Sequence, residues 1–195
     1  WCKKRKVVFL SDCVDWLASN SGSFIYRTIK FLDDNYQKRI LNSKSDGVIT
    51  ISSYLSNYYS NKGLQTVVIP PLVNHSRFKP VQDNDLEKSI KLIYVGMPFA
   101  VDGRKVKENS YKDRLDLVIE SLFKVRDLDF IFSIYGITES QYLSVVAKHQ
   151  DLLKQMQNKV IFHGKINNEE AVLKVSQADF TVLFRDVNRM TSAGF

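Results

Sequence analysis

The sequence predicts an α/β protein built on parallel β-sheets, and three observations lead to this fold class. Short apolar runs alternate with stretches of helical periodicity, as buried parallel strands and their crossover helices require. This alternation occurs once between about residues 6 and 69, and again from Lys91 onward. Between the two runs, Pro70-Pro71 and a polar stretch reaching Glu87 interrupt the pattern. We therefore expect two lobes, residues 1–75 and 91–195, joined by a linker at 76–90.

The first lobe is predicted to contain strands at residues 6–10, 47–51 and 66–69. Ser23 is the expected N-cap of a helix that runs to about Ser43. Its apolar stripe consists of Phe24, Ile25, Ile29, Leu32, Tyr36 and Ile40. A second helix opens after Ser52 and closes at Gly63.

The second lobe repeats the same alternation with four strands. They are predicted at residues 91–95, 130–135, 160–162 and 180–184, with helices at about 113–125, 139–156 and 169–177. The strands end at Gly96, Gly136, Gly164 and Arg185. Right-handed crossovers bring the carboxyl ends of parallel strands to one edge of the sheet, where ligands of open α/β sheets bind. We therefore expect a glycine-lined, cationic crevice that suits a phosphate.

Composition narrows the class of protein further. The 195 residues are 44% hydrophobic, which is enough for a packed core, and no apolar run approaches the roughly 20 residues of a membrane span. Two cysteines and three scattered histidines predict neither a disulfide framework nor a metal cluster. The basic start has too short an apolar run for a signal peptide, and the chain, which begins with Trp1, is expected to belong to a longer protein.

The formal charge of +7 is concentrated at the start of the chain. Residues 1–75 carry an excess of five positive charges, and the remainder carries an excess of two. A basic segment of this kind indicates an anionic partner, either a membrane surface, nucleic acid or a phosphorylated substrate. A solvated basic surface explains it equally well.

The loop after Gly96 is the first candidate binding site. Glycine allows backbone to approach a ligand, and a helix N-terminus that follows suits a diphosphate. Lys112 is placed to bridge phosphate oxygens beside Asp113, which is the expected N-cap, and the loop also supplies Arg104 and Lys107. A solvated basic loop capped by Asp113 is the alternative. Neither a dinucleotide-binding G-x-G-x-x-G nor a P-loop motif is present.

Five other polar residues are weaker candidates. Asp12 and Asp15 follow a strand of the first lobe and face either the cleft or a helix N-terminus that they cap. Asp127 and Asp129 form a D-x-D, but they precede a strand and are expected in a surface turn. His163 is expected to be satisfied by backbone at the strand end.

Several passages, in order, resemble the family-four glycosyltransferases. Gly47-Val48-Ile49-Thr50-Ile51-Ser52-Ser53-Tyr54-Leu55 followed by Val67-Val68-Ile69-Pro70-Pro71-Leu72-Val73-Asn74 is similar to the family's strand–Ser–x–x–Leu … I-P-N-G-V-D passage. Val95-Gly96 with Lys112-Asp113 resembles its V-G … K-G/D donor loop, and residues 160–179 resemble V-x-F-x-G … A-D. Arg185 to Phe195 is similar to a run that leads to A-G-F-P-T-K in one branch.

The resemblance implies a GT-B fold, with two Rossmann-like lobes and a nucleoside-diphosphate sugar bound on the second. It further implies sugar transfer with retention, without a metal or other cofactor, to a saccharide or lipid-linked acceptor. By position, Gly96 and Lys112 would contact the diphosphate, and Arg104 and Lys107 are the candidates for a second phosphate cation. The resemblance also assigns Gly164, Lys165 and Ile166 to the nucleobase, and Arg185, Arg189 and Gly194 to the edge of the donor site.

The chain also departs from the family pattern. Met97 stands where many members have an arginine after the glycine, and the family's acidic pair is not present. Asp12 and Asp15 are therefore the only catalytic candidates that we name. The expected protein is a piece of a cytoplasmic glycosyltransferase of polysaccharide biosynthesis, in peripheral contact with the inner membrane face through its basic start and without a nucleic-acid partner. The alternatives are a non-catalytic α/β module that binds a phosphorylated ligand or a protein partner, and a mutase or epimerase of similar fold.

Overall fold

The computed structural model describes residues 2–16, 23–72, 89–103, 106–108 and 111–194. The chain forms two compact units. Unit 1 comprises residues 1–73 and 187–195, and unit 2 comprises residues 74–186. The predicted linker, 76–90, lies almost entirely outside the described residues.

Unit 1 is built on a parallel sheet with the strand order β1-β2-β3. The strands are β1 (Leu10–Cys13), β2 (Gly47–Thr50) and β3 (Thr66–Val68). The sequence predicted a strand at residues 6–10, but β1 begins only at Leu10, which pairs with Gly47, the first residue of β2. The apolar run before it, including Val8, is exposed, whereas Ser11 and Cys13 are buried.

The helices of unit 1 begin where their capping residues predict. Ser23 caps α1 (Phe24–Tyr36), and Ser52 caps α2 (Ser53–Ser60). The predicted single helix to Ser43 changes at Gln37 into a π-helical turn and then a 3-10 turn. The predicted apolar stripe lies along α1, but no residue of this helix is buried among the described residues.

The C-terminal residues complete the core of unit 1. The short helix α7 (Arg189–Ala193) is capped by Asn188, whose side chain accepts from the Thr191 N–H at 3.1 Å. Ala193 is fully buried, and its carbonyl accepts a hydrogen bond of 2.7 Å from the Ser52 hydroxyl. The sequence had assigned residues 187–195 to the second lobe, whereas their contacts place them in unit 1.

Unit 2 contains a four-stranded parallel sheet with the order β6-β5-β4-β7. Its strands are β4 (Ile90–Val95), β5 (Phe130–Tyr135), β6 (Val160–Gly164) and β7 (Phe180–Thr181). The chain adds β5 and β6 on one side of β4 and then returns to place β7 on the other side. This reversal makes the β4/β7 pair the topological switch point of the sheet.

The described residues of unit 2 form four α-helices: α3 (Leu115–Lys124), α4 (Glu139–Val145), α5 (Gln150–Gln155) and α6 (Asn168–Ser176). The predicted helix over 139–156 is interrupted between α4 and α5. The interruption carries the buried His149, whose imidazole Nδ1 lies 2.8 Å from the Tyr142 hydroxyl and whose Nε2 lies 2.9 Å from the Glu120 carboxylate. No described helix has the length and apolar character needed to cross a membrane.

Candidate functional site

The candidate site lies at the carboxyl edge of the unit 2 sheet, at the β4/β7 switch point. β4 ends before Gly96, and the chain after β7 continues past β4, because the Val182 N–H donates to Ile93 O at 2.8 Å. The α3 segment is joined to the same edge by a hydrogen bond of 2.8 Å from the Arg114 N–H to Phe184 O. Three chain segments therefore meet where open α/β sheets bind ligands.

Asp113 is the polar centre of this edge. It is 4% exposed, and each of its carboxylate oxygens has a partner. The Tyr94 hydroxyl donates to Oδ2 at 2.7 Å, and Arg185 Nε donates to Oδ1 at 2.5 Å. Burial, and then the hydrogen bond to the Asp113 carboxylate, raises the pKa of Tyr94 above its usual range, so Tyr94 is a fixed donor at neutral pH.

Gly96 and Gly136 are held in close backbone packing beside Asp113. A Cβ atom on Gly96 would lie 2.9 Å from the Tyr94 hydroxyl, so glycine makes room for the Tyr94–Asp113 hydrogen bond. A Cβ atom on Gly136, which has a φ of +105°, would lie 2.2 Å from Gly96 O. The Gly96 N–H donates to Tyr135 O at 3.0 Å, so this amide is already used within the sheet.

Arg114 forms a second polar cluster next to Asp113. Its guanidinium donates to both oxygens of Asp116, at 3.0 and 2.9 Å, to Glu108 at 2.7 Å and to Asp186 at 3.3 Å. The hydrogen bonds to Asp116, which is 2% exposed, raise the pKa of Arg114 above the already high value of a free arginine. Since these carboxylates neutralise Arg114, we assign it to the structure of the edge rather than to anion binding.

The predicted diphosphate residues take different positions around this edge. Lys112 is exposed, and its ammonium makes no hydrogen bond or ion pair with any described residue. Lys107 is also exposed, and Arg104 lies outside the described residues. Asp113 is not the helix N-cap that the sequence predicted, because α3 begins at Leu115 and Arg114 occupies the cap position.

The predicted nucleobase loop follows β6 at the same edge of the sheet. Gly164 closes the strand, and its carbonyl accepts a hydrogen bond of 2.7 Å from the Gly136 N–H. Lys165 is exposed and Ile166 is half-buried. Asn167 then caps α6 by accepting from the Glu170 N–H at 2.8 Å. The role of this loop in base binding stays a prediction.

The remaining donor-edge residues lie in different units. Arg185 belongs to unit 2 and contacts Asp113, whereas Arg189 begins α7 and Gly194 follows it within unit 1. The two catalytic candidates are also in unit 1: Asp12 is exposed within β1, and Asp15 is exposed just after it. Neither aspartate is the N-cap of α1 or α2.

His163 differs from its expected role as a strand-end residue satisfied by backbone. Its exposed imidazole stacks on the Tyr135 ring, with the centroids 4.3 Å apart, and its Nε2 lies 3.3 Å from Ser133 Oγ. Partial loss of hydration around the ring, followed by the charge of Lys174, lowers the pKa of His163 below its usual value.

The acidic residues of the described segments give no metal-ligand cluster. Asp127 and Asp129 lie in the exposed turn before β5, as the sequence predicted. Within the described ranges, no three His, Cys, Asp or Glu side chains are grouped closely enough to hold an ion.

A separate groove runs along one face of the unit 2 sheet and has a volume of about 460 Å³. Its lining includes the apolar residues Ile93 and Ile131, together with Tyr135, Lys91 and Lys174. None of the predicted site residues lines it. The groove is therefore distinct from the carboxyl-edge site.

Comparison with known proteins defines the fold class. No protein-family model matches the chain, and no curated protein sequence matches it. Among solved structures, it is similar to sucrose-phosphate synthase from Thermosynechococcus elongatus, with a TM-score of 0.57, 20% identity, and coverage of 93% of this chain and 46% of that one. HepE from Anabaena, solved with UDP and glucose, gives a TM-score of 0.57 at 13% identity, covering 96% and 49% of the two chains.

A glycosyltransferase from Rickettsia africae gives a TM-score of 0.52 at 16% identity, with 93% of this chain and 52% of that one covered. The chain thus spans about half the length of these structures. The likeness confirms the predicted fold class, GT-B-type parallel sheets flanked by helices.

Proposed function

We propose that this chain is part of a glycosyltransferase that moves a sugar from a nucleoside-diphosphate sugar to an acceptor. The observation that carries the proposal is the polar edge at the β4/β7 switch point, where Arg185 is fixed by Asp113 and Lys112 stands exposed beside it. This edge occurs on a fold shared with sucrose-phosphate synthase and with HepE, which was solved with UDP and glucose.

The chemistry of the edge suits a diphosphate leaving group. Negative charge grows on the nucleoside diphosphate as its bond to the sugar breaks, and cations fixed before the reaction stabilise that charge. Lys112 and Arg185 are the described cations that we assign to this task, with the N-terminus of α3 adding its partial positive charge. In this proposal they do the work that a divalent metal does in other transferases, so no metal is needed.

The finer features of the reaction rest on the family resemblance. We propose transfer with retention of configuration, with the nucleobase beside Gly164, Lys165 and Ile166, and a saccharide or lipid-linked acceptor. We place the reaction at the cytoplasmic face of a membrane, in polysaccharide biosynthesis. The exposed Lys4, Arg5 and Lys6 at the start of the chain would supply contact with anionic lipid.

The proposal is tested by a thermal-shift panel of UDP, GDP and ADP, each also as its common sugar conjugates. A ligand that binds only the folded state stabilises it by RT ln(1 + L/Kd), where L is the free ligand concentration, so the unfolding temperature rises with ligand concentration. We expect a concentration-dependent shift for one base, and slow release of that nucleoside diphosphate from its sugar conjugate when acceptor is supplied. Binding without release supports the non-catalytic module instead, and no shift with any nucleotide rejects a donor site on unit 2.

A further inference from the structure

The buried carboxylate of Asp113 joins the two strands that flank the switch point. Through Oδ2 it holds the hydroxyl of Tyr94, on β4, and through Oδ1 it holds Nε of Arg185, which follows β7. Arg185 lies 72 residues further along the chain, so this contact exists only because the chain returns to place β7 beside β4.

Because Asp113 is buried, polar partners must offset the loss of water around its carboxylate. A carboxylate that is 4% exposed is stable in its ionised form only when charged or hydrogen-bonded partners replace its lost water. Tyr94 and Arg185 supply one partner to each oxygen. The Arg185 side chain is 23% exposed, so solvent reaches the ion pair on the side of Arg185 but not on the side of Asp113.

We propose that Asp113 is a positioning residue for nucleoside-diphosphate binding, because it fixes the Arg185 guanidinium at the switch point. This inference rests on the proposed function of the same edge. Tyr94 orients the carboxylate, the carboxylate fixes Arg185 through Nε, and Arg185 meets the diphosphate. Asp113 itself does not touch the ligand.

Positioning and simple electrostatics predict opposite effects when the charge of Asp113 is removed. A negative carboxylate near a diphosphate repels it, so electrostatics alone predicts that Asp113→Asn binds the anion more tightly. Positioning predicts weaker binding, because a neutral amide holds the guanidinium by a weaker hydrogen bond, without the ion pair. The sign of the change therefore separates the two explanations.

The test is calorimetric titration of the wild-type chain and of Asp113→Asn with the nucleoside diphosphate that the thermal-shift panel selects. We expect a loss of about tenfold or more in affinity, the effect of one misplaced charge-assisted hydrogen bond. Asp127→Asn, in the exposed turn at the opposite edge of the sheet, is the matched control and should bind as the wild type does. Equal or tighter binding by Asp113→Asn overturns the positioning role.

A second variant keeps the test decisive if Asp113→Asn does not fold. Arg185→Lys retains the positive charge but has no Nε–H to bond with Asp113, so its affinity should fall by a similar factor. If Asp113→Asn does fold, the two losses should not add in the double variant, because both changes break one contact. Wild-type affinity in Arg185→Lys, or additive losses in the double variant, overturn the inference. Absence of binding by the wild type rejects the proposed function itself.

Discussion

Gly136→Ala tests the close backbone packing on which the candidate site is built. Gly136 has a φ of +105°, and an added Cβ would lie 2.2 Å from Gly96 O and 2.8 Å from Gly96 C. Both distances are far below van der Waals contact, and both atoms belong to backbone, so the β4 end must move. Gly96 would then shift against Tyr94 and Asp113.

The expected destabilisation follows from two contributions. A non-glycine residue at positive φ costs about 1–2 kcal/mol, offset by about 0.4–1 kcal/mol because alanine makes the unfolded chain less disordered. Overpacking against a fixed neighbour adds about 1–3 kcal/mol. We therefore expect the free energy of unfolding of unit 2 to fall by roughly 2–4 kcal/mol in Gly136→Ala.

Gly103→Ala is the matched control. Gly103 also belongs to unit 2 and has a φ of +83°, but a Cβ there would meet nothing within 4 Å. Gly103→Ala should lower the free energy of unfolding only through the backbone conformation, by about 1 kcal/mol or less. Urea unfolding should be followed by far-UV circular dichroism, because both tryptophans, Trp1 and Trp16, lie in unit 1. If the two variants lose the same stability, Gly136 does not pack against Gly96 as described.

Three further predictions concern the proposed site and the sheet beside it. Lys112→Ala should weaken nucleoside-diphosphate binding by about 1.5–3 kcal/mol, measured by calorimetry. Lys124→Ala, at the C-terminal end of α3, is the control and should leave the affinity unchanged. Equal affinities of the two variants would remove Lys112 from the site. Binding should survive treatment with a chelator, and its loss would reject the metal-free mechanism. The pKa of His163 is lower in the folded state than in the unfolded chain. As the pH drops, the unfolded chain therefore binds a proton at His163 before the folded state does. The free energy of unfolding should fall from above pH 6.5 down to the folded-state pKa. His163→Phe keeps the stack on Tyr135 and should remove that slope from urea unfolding measured between about pH 7.5 and 5; an unchanged slope would assign it to another group.

The positions of the strands in unit 2 could be predicted because their signal is local. Each is an apolar run followed by a residue that stops it, and the observed strands lie within or overlap the predicted ones. Helix starts at Ser23 and Ser52 were equally predictable, because a hydroxyl side chain that accepts a backbone N–H is a local event.

The features that could not be predicted depend on contacts between distant residues. Asp113 reads in sequence as a helix cap, and only the placement of β7 beside β4 shows that it binds Arg185. The break between α4 and α5 has no proline or glycine to mark it, and His149, which lies in the break, contacts the distant Glu120 as well as Tyr142. Likewise, Arg114 lies among carboxylates that come from three separate chain positions.

The hydrogen bond from Ser52 to Ala193 has a consequence for the order of folding. The two residues are 141 positions apart in the sequence, and all of unit 2 lies between them. Loop closure costs entropy that grows with the logarithm of loop length, and unit 2 lowers that cost once it has folded, because it shortens the flexible chain between the two ends. Unit 2 is continuous in sequence, so it can fold before the core of unit 1 is complete. Unit 1 acquires Ala193, a fully buried part of its core, only after the ribosome has made all of unit 2.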